Sequence, residues 1–491
     1  MDTGRRTRKI LRAIARIGTM GAVVAGPWLF GAYETWAYLL LCLVIMFAAG
    51  CWLMQTTIQP RARLRFPLTA AALALLALLL IIQMAPMPAG LVNMFNASAA
   101  KAHSEQAQLF QSMHMSEFLQ GTVGSGGAMT LSAAPRGTLR TLFIFAAFTA
   151  VFLVSANAFR RWRHVQASLM VLTISGFIMA LVGIIHEFSG SPEVLWFHQT
   201  HYGGAIFGPY ANPNHYATCM NLLFGVAVGL LLAEMRGSPV NELDSLREKV
   251  AWISSGKANR IALIAFAAAI MGASVLVSLS RGGIVSLIMA AGVLVLWFGL
   301  KRSQTGVRVG GIIMLVVGIT AWIGWEPVLS EIATLSKVNP RTEGRTIASL
   351  TAVKMFEAAP LAGHGFGSFQ HVFPVFRPER LKGARWVHAH NEYAQLLAEG
   401  GIAGIFVVGL IVLAFLRETR SKWETATERG KLLATGLSVG FVATILHSGL
   451  GFGLRSPATF LVLAAAGGLC SAGLSLRKQK KKQHTGTNNS E

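Results

Sequence analysis

Runs of about 17 to 22 apolar residues recur along the whole chain. Each is long enough to cross a hydrocarbon layer about 30 Å thick. Inside such a layer every backbone N–H and C=O must be satisfied by its own segment, so helical runs of this length stack into a bundle rather than a soluble domain. Composition agrees, because only 13% of the 491 residues are charged, against roughly 25% in soluble globular proteins. The windows lie near 17–33, 36–54, 67–84, 140–157, 166–187, 217–235, 260–279, 282–300, 308–325, 400–416, 432–449 and 457–475. They predict an all-α polytopic membrane protein of about twelve spans.

The formal net charge of +22 would suggest nucleic acid if it formed a patch. Instead the cations fall in short loops between spans. Arg61/Arg63/Arg65, Arg160/Arg161/Arg163, Arg236 to Arg260, Lys301/Arg302/Arg308, Arg417 to Lys431 and the tail from Arg477 occupy every second loop. The alternate loops, 85–139, 188–216, 280–282, 326–399 and 450–456, are poorer in Lys and Arg. That alternation follows the positive-inside rule and predicts both termini in the cytoplasm, with 326–399 as the main outer loop. Arg5, Arg6, Arg8 and Lys9 before the first apolar window are expected to mark an uncleaved first helix, since no small-residue cleavage site follows. Cys42, Cys51, Cys219 and Cys470 lie in or beside apolar segments without CxxC spacing. They predict buried small side chains rather than a disulfide framework.

The residues able to do chemistry gather in the outer loops. Arg281 stands in a turn with no other charge, where a cation at the edge of the hydrocarbon either serves an anion or snorkels to the interface. Arg341, Arg345 and Arg455 share that side, and a planar guanidinium suits phosphate by bidentate, charge-assisted hydrogen bonds. Asn339–Pro340 predicts a helix start, after which Ile347, Leu350, Val353 and Phe356 recur at helical spacing until Ala359–Pro360. The stripe would lie on the membrane surface or against the bundle. Arg341 and Arg345, four apart, share a face of that helix. His388 and His390 sit before the next apolar run, with His364 and His371 upstream and His201 and His215 in another outer loop. A histidine titrates near neutrality and is a natural general base, or simply an interfacial side chain. The spacing of His388 and His390 would also allow a metal, but Asp2 and Asp244 are the only aspartates and both are expected to be cytoplasmic. No metal or cofactor is expected. Tyr210–Ala211–Asn212–Pro213–Asn214–His215 reads as a turn and helix start, whose amides could equally orient a sugar or a pyrophosphate. The 85–139 loop is long and nearly uncharged, with room for an interfacial helix and no visible chemistry.

These residues together resemble the O-antigen ligase / O-antigen polymerase superfamily of bacterial membrane glycan transferases. His390–Asn391, nine residues, then Gly401–Ile402–Ala403–Gly404 is similar to the family's outer-loop signature. Arg281 after Ser280 resembles its arginine at a span end. Arg345, followed by the glycine-rich Pro360–Gly367, resembles its outer-loop arginine, and Asn212–Pro213–Asn214–His215 resembles a further motif. The resemblance covers roughly residues 200–460. After His447 many relatives carry an Asp where this chain reads Ser448 to Arg455. It implies a GT-C-like bundle with N-terminal helices in 1–199, a ligase-like core in 200–460, and a last helix and basic tail in 461–491. It also implies metal-independent transfer of a glycan from undecaprenyl pyrophosphate on the periplasmic face of the inner membrane. His390 would be the catalytic base, with Arg281, Arg345 and Arg341 on the donor pyrophosphate. Asn391, Asn212, Asn214, His215 and Arg455 would orient substrate. The acceptor would be lipid A-core, as in a ligase, or a second glycan, as in a polymerase. A transporter or flippase is the rival from another class. It would be expected to show two similar halves and mid-membrane charges, and neither is visible in the sequence.

Overall fold

A computed structural model describes residues 2–58, 64–112, 128–199, 205–236, 245–300, 311, 340–381, 383 and 385–476. The predicted span at 308–325, the Asn339 cap, His201, Arg61, Arg63, Lys301, Arg302, Arg308 and the tail from Arg477 lie outside the described residues. The architecture is helical. α1 (Asp2–Trp28), α2 (Thr35–Thr57), α3 (Pro67–Met84), α6 (Pro135–Ala158), α7 (Trp162–Ser189), α8 (Pro213–Met235), α10 (Gly256–Val277), α14 (Glu392–Trp423), α15 (Glu428–Ser448) and α16 (Pro457–Leu474) form the bundle. These ten helices are long and apolar enough to cross a membrane. α11 (Arg281–Leu300) supplies a shorter described apolar stretch, Arg281–Val293. Short helices α4 (Ala89–Phe95), α5 (Ala97–Ser112), α9 (Leu246–Ile253), α12 (Pro340–Ala358) and α13 (Phe369–Phe376) fill the connections, with a two-residue antiparallel pair of β1 (Met87–Pro88) and β2 (Ala128–Met129). Leu43, Phe47, Leu263 and Phe406 point outward and are at least 63% exposed, an apolar belt that lipid covers.

α8 is the axis of the bundle, buried along its whole apolar length. It meets α15 through Gly225 and Gly229 facing Gly436 and Gly440. A Cβ on Gly436 would stand 2.2 Å from the Cα of Gly229. Helices in lipid associate by van der Waals packing, and small residues four apart let backbones approach this closely. At the other end of the chain's charge pattern, Glu418, 6% exposed, accepts the backbone N–H groups of Leu68 and Thr69 and the Thr69 hydroxyl. A carboxylate there satisfies the orphan donors and the positive dipole end of α3.

Several boundaries differ from the apolar windows. α1 starts at Asp2 because the Arg- and Lys-rich turns before the window are good helix formers and continue it. α14 starts at Glu392 rather than near 400, and it is interrupted at Gly401 (φ 59°, ψ −160°). That break releases backbone groups sideways. Ile402 and Ala403 donate to the carbonyls of Pro360 and Leu361, while the Ala398 and Glu399 carbonyls accept from His364 and Gly365. The glycine-rich stretch is thus sewn onto the root of α14, and only glycine tolerates that backbone geometry. The predicted stripe on α12 is not its buried face. Ala348, Ala352 and Met355 are buried, whereas Ile347, Val353 and Phe356 are half-buried and Leu350 is 60% exposed, so the packed face is turned from the predicted one and only Leu350 points fully outward. The 85–139 connection also does more than bridge two spans. Asn96 donates to the Leu131 and Gly363 carbonyls, and Gln83, in the last turn of α3, donates to those of Ala362 and Glu399, so the connection and the helix end before it together brace the glycine-rich stretch.

Candidate functional site

The α1–α2, α3–α6, α7–α8, α10–α11 and α15–α16 connections meet at one end of the bundle with the described residues between 340 and 391 that precede α14. They are the alternate, cation-poor set of the sequence pattern. The α7–α8 connection contributes the start of α8. Asn212 caps that helix by accepting from the Asn214 N–H at 2.9 Å, with Pro213 in the first turn. Asn214 accepts a hydrogen bond from the Ser280 hydroxyl at 2.7 Å, which ties the cap to the turn that carries Arg281. His215 is buried, hydrogen-bonded to the Tyr33 hydroxyl from the α1–α2 connection and stacked on its ring at 5.0 Å. Arg281 itself opens α11, two residues after Leu279, which takes a left-handed backbone (φ 51°).

His390 ends the α11–α14 connection in the left-handed region, at φ 57°. A non-glycine residue there costs about 1–2 kcal/mol and persists only where its surroundings hold it. Those surroundings are the rings of Trp386 and Phe452, edge-on at 5.4 and 4.4 Å. Asn391 fixes the next step. Its side chain accepts from the N–H groups of Tyr393 and Ala394 as the cap of α14, and it donates to the Gly449 carbonyl at 3.0 Å. Burial and then the charge of Arg345 push the His390 imidazole down to about 3, so it is neutral at neutral pH with a lone pair able to accept a proton. Arg345 lies on an exposed face of α12. Arg341 stands in the first turn of the same helix, and its side chain lies outside what is described. The structure therefore brings Arg345, His390 and the His215–Phe452 pair to one place, since Phe452 also packs edge-on against His215 at 4.5 Å.

Arg455 belongs to the same cluster in another way. Its Nε donates to Glu392 at 2.9 Å and an Nη donates to Glu399 at 2.8 Å. Burial lowers its proton affinity, but the two carboxylates outweigh burial and hold the guanidinium more basic than usual. Glu399 also accepts from Gln395 and from the Phe369 N–H. Arg455 thus fastens the α15–α16 connection to α14 one step from His390. His388 packs against Phe452 at 4.9 Å, and burial with Arg455 nearby drives its imidazole well below the usual range. His364 is buried and bonded to the Met355 carbonyl at 2.8 Å, and His371 is exposed beside Gln370.

Sequence reasoning missed Glu392, Gln395 and Glu399, although their spacing puts them on one face of α14. It also gave no role to His447. That ring is buried, its Nδ1 pairs with the Thr218 hydroxyl at 2.9 Å, and a Cβ on Gly282 would stand 2.9 Å from its Nε2. It therefore lies directly against the turn of Arg281, at a span end that marked it only weakly. Among the described residues no group of three or more His, Cys, Asp or Glu side chains is placed to hold a metal ion.

Residues 266–409 match the family model described as O-antigen ligase. The matched interval contains Arg281, Arg345, His390 and the Gly401 break, and it stops before His447 and Arg455. No curated protein matches the chain.

Proposed function

With residues 266–409 forming a domain of the O-antigen ligase superfamily, whose general activity is glycan transfer, we propose that this membrane protein moves a glycan from undecaprenyl pyrophosphate to an acceptor hydroxyl. The acceptor in this reading is lipid A-core, and a second lipid-linked glycan would make the protein a polymerase. The site would face the periplasm from the inner membrane, with both termini cytoplasmic, because the cluster forms at the cation-poor end of the helices. The observation that supports the reading best is the meeting of the neutral His390 with Arg345 beside the turn network that carries Arg281.

In the proposed reaction the acceptor oxygen attacks the anomeric carbon of the donor's first sugar. The bond from that carbon to the pyrophosphate oxygen breaks, and undecaprenyl pyrophosphate leaves with the electron pair. Arg281 and Arg345, with Arg341, would stabilise the charge gathering on that leaving group, so neither a protein acid nor a metal is needed. His390 takes the hydroxyl proton. Its proton affinity is low because it is buried and lies beside the cation of Arg345. A pyrophosphate seated on Arg345 offsets that cation and raises the affinity of His390 when the base is required. Asn391 and Arg455 act one contact away by holding His390 and the root of α14. Asn212, Asn214 and His215 hold the Arg281 turn. Replacing His390 by Ala should abolish transfer while donor binding stays measurable, and loss of both together would contradict a base and mark His390 as structural.

A further inference from the structure

Beside His390, on the far side of Trp386, an open pocket of about 320 Å3 is lined by Gln370, Phe373, Pro374, Arg377, Arg385 and Trp386. Its size lies at the small end of ligand pockets, which run about 300–1,000 Å3, and suits a sugar or two rather than a long chain. α13 supplies one wall and the segment leading to His390 supplies the other, with Gly383 turning between them at φ 89°. Two features give the pocket a chemical preference. Phe373 and Trp386, with ring centroids 6.5 Å apart, and Pro374 make an apolar face of the kind on which the C–H face of a pyranose packs. Two guanidinium groups and one amide surround that face, and no acidic side chain is among the lining residues. The remaining arginine of this segment, Arg380, turns to Glu343 at 3.3 Å.

Trp386 links this pocket to the site. Its ring meets His390 edge-on at 5.4 Å, and Gly344, next to Arg345, leaves room for the far edge of the indole, where a Cβ would stand 3.0 Å away. The indole N–H is buried and donates to no protein group. We propose that this pocket binds an acidic saccharide of the acceptor, with its anionic group on Arg377 and Arg385 and its ring against Trp386. The glycan beyond it then runs towards His390. The acceptor assignment rests on the glycan-transfer reading above. The anion is a carboxylate if the sugar is a uronic acid and a phosphate if the sugar is phosphorylated.

The test uses the full-length protein in nanodiscs and saturation-transfer NMR with three probes: methyl glucuronide, glucose 6-phosphate and methyl glucoside. The acidic probes are expected to bind at least fivefold more tightly than the glucoside, and whichever of the two is stronger names the anion. Arg385→Gln should weaken that binding by about tenfold, as loss of one charge-assisted hydrogen bond does. Trp386→Ala, which removes the ring face, should weaken all three probes, whereas Arg380→Gln, whose partner is Glu343, should change none. Equal binding of the glucoside, or binding unaffected by Arg385→Gln, overturns the proposal. Transfer from a lipid-linked donor is measured on the same preparation. Normal transfer without acidic-sugar binding removes the subsite and leaves glycan transfer standing. Acidic-sugar binding without transfer by the wild type overturns the assignment to an acceptor.

Discussion

Removing Arg455 separates a clamp from a substrate-binding arginine. Its guanidinium makes ion pairs of 2.9 Å to Glu392 and 2.8 Å to Glu399, and the Glu399 side chain has no exposed surface. Arg455→Ala would leave Glu399 with only the Gln395 amide and the Phe369 N–H as partners. Breaking a buried pair by deleting one member costs about 3–5 kcal/mol, because the other charge stays buried without compensation. A cost of that size lowers the unfolding midpoint by roughly 2–4 °C per kcal/mol in chains of 150–250 residues and by less in a longer one. A fall on the order of 5–10 °C in detergent is therefore expected. Glu399→Gln in the same chain removes the stranded charge while keeping the shape, so the double variant should regain much of the loss. Thermal unfolding followed by circular dichroism, with donor binding measured on each variant, decides the matter. If Arg455→Ala unfolds at the wild-type temperature, loses donor affinity and is not rescued by Glu399→Gln, Arg455 binds substrate and the clamp is wrong.

Three further outcomes follow from the same structure. Gly401→Ala puts a Cβ within 2.7 Å of the Gly363 nitrogen and the Leu361 and Pro360 carbonyls, in a backbone region open to glycine alone; hydrogen exchange should show the 360–367 stretch loosened and transfer should fall with it. Gly436→Ala, 2.2 Å from the Gly229 backbone, forces α8 and α15 apart and should cost about 1–3 kcal/mol or more, read as a lower unfolding midpoint. For His390, with its imidazole pushed down to about 3 by burial and Arg345, kcat/KM should show no His390 limb between pH 5 and 8. Its folded value lies below its unfolded value of about 6.5, so its contribution to stability is complete above 6.5 and is lost as pH falls towards 3. Arg345→Gln removes a lowering charge, raises the His390 value and narrows that window. A wild-type limb centred near 6.5 would show that His390 is not buried beside Arg345.

Much of the fold was legible because membrane helices carry their signal in uninterrupted apolar length. Ten windows became long helices, and Pro213 and Pro340 marked real helix starts. The outer clusters were legible for a related reason: polar residues are costly in lipid, so those present at span ends stand out. What could not be read is which polar group meets which. Asn391, Asn212 and Asn214 were candidates for substrate contact, and their side chains are engaged in caps and in the bond to Ser280. Arg455 looked like a partner of Arg281, yet it pairs with two glutamates at the root of α14, before the break at Gly401. The sequence gives no local sign that a helix will break at Gly401 and pair sideways with Pro360 to Gly365. That pairing depends on residues some forty positions apart. For the same reason Gln83 at the end of α3 and Asn96 in a connection without visible chemistry proved to brace the glycine-rich stretch.

The central claim is that the cluster around Arg281, Arg345 and His390 transfers a glycan from a lipid pyrophosphate. Purified protein would be given an undecaprenyl-pyrophosphate oligosaccharide together with lipid A-core, or with a second lipid-linked glycan, in the presence of EDTA. Product size on a gel would be compared among wild type, Arg281→Ala and His390→Ala. The wild type is expected to move one glycan onto lipid A-core and either variant none, and a ladder of lengthening lipid-linked chains would reassign the acceptor to a second glycan. An intact donor with every acceptor, or transfer that survives both substitutions, would contradict it.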